Sequence, residues 1–160
     1  MHVRLIAIDE QGFPEEGVGR LDEVARQVCK ATLSLYRSAG FAPPWIGYLV
    51  THDQRLVGAC AFKSAPVDAD AQCSSVEIGY LTFPAFEGRG IATEMVRELL
   101  RIARNALPQR QRTLIIVART ANEENASNAI LRKFGFQFAG ERSEADDGPV
   151  WQWELQLPHS

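Results

Sequence analysis

Between a β-patterned run and an amphipathic stretch the chain reads Glu87-Gly88-Arg89-Gly90-Ile91-Ala92, and its two glycines, two apart, are where backbone chemistry is most accessible. At a strand-to-helix junction the first N–H groups of the helix lack partners, and the helix dipole adds positive character at the same spot. That combination suits a pyrophosphate, and Gly88 and Gly90 let the backbone come close to it. A plain turn uses the same residues. The run is not a P-loop, because no Lys-Ser/Thr follows, and not a dinucleotide fingerprint, because the third glycine is missing.

Other chemistries lack their parts. His2, His52 and His159 fall in a first strand, a turn and the tail, so neither a metal site nor a histidine-based triad is expected. Cys29, Cys60 and Cys73 are odd in number and form no C-x-x-C pair, which suits a reducing compartment, and a cytoplasmic location is expected. The formal charge of -3 argues against a nucleic-acid surface. No run is long enough to cross a bilayer, no membrane partner is expected, and the opening nine residues read as a strand instead of a signal peptide. With 46% hydrophobic and 23% charged residues, the 160 positions fit a single globular domain spanning 1–160.

The elements that must position the loop follow from periodicity. Leu21, Val24, Ala25, Val28, Thr32 and Leu35 recur at spacings of three and four, which predicts a helix running to about Ala39 and stopped by Gly40. Residues 41–44 form an extended connector, and residues 45–50 and 56–62 read as an antiparallel pair joined by a polar turn. Residues 64–72 read as a loop. Val76, Ile78 and Tyr80 alternate with Glu77, Gly79 and Leu81, the period of a strand over 76–83. Ala92, Met95, Val96, Leu99 and Ala103 share one stripe of a helix over 92–106, closed by Pro108, with a charged face turned to solvent. Residues 114–118 are a continuous apolar run that fits a strand covered on both faces. A short helix over 125–134 ends at Gly135. Two strands over 136–141 and 150–157, the second preceded by a turn at Asp146-Asp147-Gly148-Pro149, complete an α/β mixed sheet flanked by helices on both faces.

Three blocks in this order resemble the GNAT superfamily of N-acetyltransferases. The loop matches E-x-x-G-x-A against that family's Q/R-x-x-G-x-G/A coenzyme-A motif, Val76-Glu77-Ile78-Gly79-Tyr80 resembles the strand entering it, and the segment from Asn125 to Phe136 resembles the family's asparagine-to-Gly-Phe block. The likeness covers roughly residues 55–136 and is strongest to the branch holding the ribosomal-protein-alanine N-acetyltransferases. It implies a mostly antiparallel mixed sheet, acetyl-CoA as co-substrate without a metal, and an amine acceptor that is a small molecule or a protein N-terminus. A homodimer is compatible with the sequence.

The same resemblance assigns the site. Leu81, Thr82 and Phe83 would lie where the family splays two strands apart, with a backbone N–H polarising the thioester carbonyl. Glu87, Gly88, Arg89, Gly90, Ile91 and Ala92 would hold the pyrophosphate, and Asn125, with Asn128 or Asn122 as alternatives, would bond the pantetheine arm. Glu77, ten residues before the first motif position, matches the base of several relatives; alternation alone leaves it a cleft-facing carboxylate, a solvent-facing residue or half of a salt bridge. The tyrosine that many relatives use as leaving-group acid is replaced by Leu131, whereas Ser127 matches the acid of the ribosomal-protein branch and also suits a helix cap.

Glu87 departs from the motif. A carboxylate ~4 Å from a pyrophosphate would cost on the order of 1 to 4 kcal/mol, so Glu87 is expected to turn outward with Arg89 compensating. Phe41, Trp45, Tyr48, Trp151 and Trp153 are either core or acceptor-pocket walls. At pH 7 an α-amine is neutral in roughly one molecule in seven and a lysine in about one in 2,500, so a site with one carboxylate base favours the α-amine. The rival readings are an acyl-CoA-binding sensor without turnover and a phosphate-binding fold unrelated to acetyl transfer.

Overall fold

The computed structural model describes residues 1–107, 112–144 and 148–157; Pro108, Asp146, Asp147 and His159 lie outside them. Eight strands form one sheet in the order β1-β2-β3-β5-β6-β8-β7, with β4 pairing β5 off this path. In chain order they are β1 (Arg4–Ala7), β2 (Gly47–His52), β3 (Arg55–Phe62), β4 (Val67–Asp68), β5 (Cys73–Thr82), β6 (Thr113–Ala121), β7 (Gln137–Glu144) and β8 (Gly148–Leu157). Three α-helices join them: α1 (Glu23–Ala39), α2 (Ile91–Ala106) and α3 (Ala126–Lys133). Among the described residues only β5 and β6 run parallel, joined by the crossover that contains α2, so the sheet is mixed and mostly antiparallel.

The stripes read in the sequence bury as periodicity requires. Met95, Val96, Leu99, Leu100 and Ala103 of α2 are fully enclosed against β3 and β5, and Leu114, Ile116 and Ala118 of β6 lie beneath. Ala25, Cys29, Thr32 and Tyr36 are the buried face of α1, and Asp22 caps that helix by accepting the Ala25 N–H at 2.9 Å. Tyr36 ties α1 to the sheet: its hydroxyl donates to Ile8 O at 2.8 Å and accepts Gly47 N–H at 2.9 Å.

The structure departs from the sequence reading at three places. Strand β2 starts at Gly47 instead of position 45, because Trp45 and Ile46 donate their N–H groups back to Ala42 and Pro44 in a turn. The predicted loop over 64–72 contains β4, whose two residues pair with Ser74 and Ser75. Gly148 and Pro149, read as part of a turn, already belong to β8; the turn that the sequence places around Pro84 is there as a single 3₁₀ turn over Pro84–Phe86, with the Phe86 N–H donating to Phe83 O at 2.8 Å.

Candidate functional site

The site begins where the parallel pair comes apart. Strands β5 and β6 are in register from Cys73 and Thr113 to Ile78 and Ala118. Beyond Ile78, β5 stays paired with β3 as far as Thr82, while β6 stays paired with β8 as far as Ala121. Residues 79–82 therefore have no strand on their β6 side. The bonds Lys63 N–H to Glu77 O (2.8 Å) and Phe83 N–H to Val57 O (2.9 Å) give the odd-numbered residues of β5 to β3. Alternation then turns the N–H groups of Tyr80 and Thr82 into the opening. Of the expected polarising stretch 81–83, Thr82 is the residue whose N–H faces the gap, whereas the Phe83 N–H is already spent and its side chain is buried.

On one side of the opening lies a cleft of about 520 Å³, floored by Tyr80, Thr82, Gly88, Ile91, Ala126 and Ser127. Helix α2 enters it with no side-chain cap, so its first-turn N–H groups face the cleft unpaired by the protein. Gly88 (φ 76°) and Gly90 (φ 82°) both adopt the left-handed region, and a Cβ at either would meet nothing within 4 Å. Conformation, not crowding, selects glycine there, at about 1 to 2 kcal/mol against any other residue. Glu87 is exposed but lines this cleft beside Gly88, whereas Arg89 lies outside it, over the Phe86 ring at 5.6 Å with Arg55 at 5.4 Å from the same centroid, so the expected outward turn of Glu87 with Arg89 compensating is not what the cleft lining shows. Arg55 had looked like part of a polar turn.

Ser127 meets Tyr80 at the apex of the opening. The two hydroxyl oxygens are 2.5 Å apart, and either can donate. Burial pushes the Tyr80 phenol above the ordinary tyrosine range, with the Ser127 bond opposing that shift. Ser127 does not cap its helix. Asn125 does, accepting the Asn128 N–H at 3.1 Å. The Asn128 side chain is fully buried: its Nδ2 donates to Glu123 O and its Oδ1 accepts from Thr120 Oγ1, both at 2.7 Å. Thr120 Oγ1 also accepts the Trp153 indole N–H at 3.1 Å. This network fixes the first turn of α3 on β6 and β8 and so holds Ser127 at the gap, leaving the Asn128 carboxamide no surface of its own.

On the other side a cleft of about 340 Å³ is walled by Thr32, Ala61, Lys63, Glu77 and Arg119, and it shares Tyr80, Leu81 and Ser127 with the first cleft. Glu77 is half-buried and accepts from Arg119 Nη1 at 3.2 Å, while Arg119 Nε donates to Gln152 at 3.3 Å. Val76 and Ile78, its neighbours in sequence, are each 2% exposed in the core, as alternation requires. Among the aromatic candidates, Trp45 and Trp153 are core residues, Tyr48 is buried yet lines this cleft as a pocket wall, and Phe41 and Trp151 are half-buried and do not line it. Tyr80 was missed as a functional residue, since its parity with Val76 and Ile78 marks it as core. Its hydroxyl at the end of a strand that loses its neighbour was the available signal. Among the described residues, no three His, Cys, Asp or Glu side chains converge as metal ligands would.

A backbone-built anion cradle behind a split parallel pair, opening onto a second polar cleft, has the form of a transferase site that holds a phosphate-bearing co-substrate against a second reactant. A family model for the acetyltransferase (GNAT) domain matches residues 13–137, and the chain belongs to that family. That membership makes it an acetyltransferase. No curated protein matches its sequence. The fold is shared with solved structures: RimL, the ribosomal L7/L12 alpha-N-protein acetyltransferase in complex with coenzyme A, at 17% identity and TM-score 0.64 over 99% of this chain and 96% of that one. The Salmonella typhimurium acetyltransferase that modifies the N-terminal serine of L7/L12 is 17% identical at TM-score 0.61, over 97% and 95%. Mycobacterium smegmatis RimJ in complex with CoA-disulfide is 23% identical at TM-score 0.61, over 82% of this chain and 60% of that one.

Proposed function

We propose that the chain transfers acetyl from acetyl-CoA directly to an α-amine, at a protein N-terminus or on a small molecule, in the cytoplasm. The observation that carries this reading is the meeting of the two clefts at Tyr80, Leu81 and Ser127. Coenzyme enters from the glycine-loop side, with its pyrophosphate on the N–H groups at Gly88, Gly90, Ile91 and Ala92 and its pantetheine arm against Asn125. The amine enters beside Glu77. The names of the RimL structures support an N-terminal acceptor, and the free state of Cys29, Cys60 and Cys73 supports a reducing location.

In the reaction the neutral amine attacks the thioester carbon, the Thr82 N–H stabilises the oxygen that gains charge, and the C–S bond breaks as the new amide forms. The amine's surplus proton leaves toward Glu77. The departing thiolate takes a proton from Ser127, which regains one from the Tyr80 phenol through the 2.5 Å bond; solvent then returns a proton to Tyr80 and takes one from Glu77 as the products leave. Tyr80 thus supplies the hydroxyl absent at Leu131. Coenzyme-A thiol release measured over peptides with free α-amines, and over the same peptides Nα-blocked but carrying lysine, tests the reading. Release is expected only with the free α-amines. Tight acetyl-CoA binding without release would instead make the chain a sensor, and equal competition by ATP would make it a general phosphate binder.

A further inference from the structure

Beyond the Glu77–Arg119 ion pair, the acceptor-side cleft is lined by a second cation. Glu77 is matched by Arg119, whose guanidinium is occupied by that carboxylate and by the Gln152 oxygen. Lys63, just past β3, is a second cation on the same wall, and among the described residues its ammonium has no ion pair and no hydrogen bond.

The position of that ammonium is built into the strand beneath it. Gly79 lies between Glu77 and Leu81 on the same face of β5, directly opposite Ala61 of β3. A Cβ at Gly79 would stand 3.0 Å from Lys63 Cε and 3.2 Å from Nζ, so the missing side chain is the space that the lysine tip occupies. The Lys63 backbone N–H is bonded to Glu77 O at 2.8 Å, which anchors the residue two positions from that glycine. The ammonium therefore lies over the cleft floor beside the group read as the base.

An unpaired cation here opposes an ammonium acceptor and favours one that brings an anion with its amine. We propose that Lys63 selects acceptors carrying a carboxylate close to the reacting amine. The carboxylate is either the α-carboxylate of a free amino acid or an acidic side chain next to a peptide's terminal residue. This rests on the acetyl-transfer reading of the same cleft and adds the acceptor's charge to it.

Two matched pairs test it: L-serine against L-serinamide, and peptides beginning Ser-Glu against peptides beginning Ser-Gln. Thiol release should favour the carboxylate member of at least one pair by on the order of tenfold in kcat/KM, the upper end of what one exposed charge pair allows. The pair that responds identifies the source of the carboxylate. In Lys63→Met the preference should fall below about twofold, with the loss at least fivefold greater on the carboxylate member, and in Lys63→Glu it should reverse. Raising the salt should erode the wild-type preference, as screening of an exposed pair requires. Equal use of both members by the wild type, or equal losses in Lys63→Met, would overturn the proposal.

Calorimetric binding of the same four acceptors to the coenzyme-A complex separates the two claims. A Lys63-dependent preference in binding without any thiol release would uphold the inference while the transfer reading fails. Thiol release without preference would do the opposite.

Discussion

The two clefts that meet at Tyr80 are made of different materials. The coenzyme side is backbone: two left-handed glycines, an uncapped helix start and strand N–H groups facing a gap. The acceptor side is side chains, with Lys63 just past β3, Glu77 from β5 and Arg119 from β6 brought together by the sheet register. A backbone cradle binds what every member of a family shares and tolerates drift in side chains such as Glu87. A charged wall can change its acceptor with one substitution.

Substitutions at the shared apex should have the largest effect. Ser127→Ala and Tyr80→Phe are each expected to lower kcat by about 10²-fold, with the Michaelis constant for acetyl-CoA changing less than about threefold. The double variant should be little worse than the poorer single one, because the two hydroxyls move one proton. Additive losses in steady-state rates would show that they act separately. Because burial holds the Tyr80 phenol above its ordinary range, it keeps its proton as pH rises through that range. The alkaline limb of the kcat profile should therefore lie above the ordinary tyrosine pKa, and a decline at or below it would contradict the assignment.

The cradle comes next. Gly90→Val forces a β-branched residue into a left-handed position and should raise the acetyl-CoA dissociation constant about tenfold by titration calorimetry. Unchanged affinity would mean that the pyrophosphate does not rest on this loop. Glu77→Gln should cost only a few-fold near neutrality and most at low pH, where fewer amines are already neutral. A loss uniform across pH would assign Glu77 to the Arg119 ion pair alone. Smallest is Glu87→Gln: the carboxylate lines the coenzyme-side cleft but is exposed and screened by solvent, so affinity for acetyl-CoA should tighten by no more than about threefold, and tenfold tightening would show that Glu87 faces the phosphates directly.

What the amino-acid pattern revealed divides along the same line. The loop, its helix and the strand before it are local, so spacing and hydrophobic period disclose them, and α2 begins one residue from where its stripe predicts. Asn125 and Ser127 were visible as a block, but their division of labour was not. A capping role fits either residue from sequence alone, and only the Asn128, Thr120 and Trp153 network decides which one is free to face the gap. Tyr80 was hidden for a different reason: its partner is 47 residues away, and strand parity correctly gave its side of the sheet while saying nothing of where its hydroxyl ends. Lys63 was invisible because its place depends on the cross-strand pairing that sets Ala61 against Gly79.

The central claim is that one molecule of coenzyme spans from the glycine loop to the Tyr80 and Ser127 hydroxyls. A crystal structure of the full chain with acetyl-CoA tests it most directly. It should show the pyrophosphate on the N–H groups of residues 88–92 and the thioester sulfur within about 3.5 Å of Ser127 Oγ, with the carbonyl oxygen turned to the Thr82 N–H. Coenzyme bound with its sulfur remote from both hydroxyls, or threaded from the Glu77 side, would contradict the account.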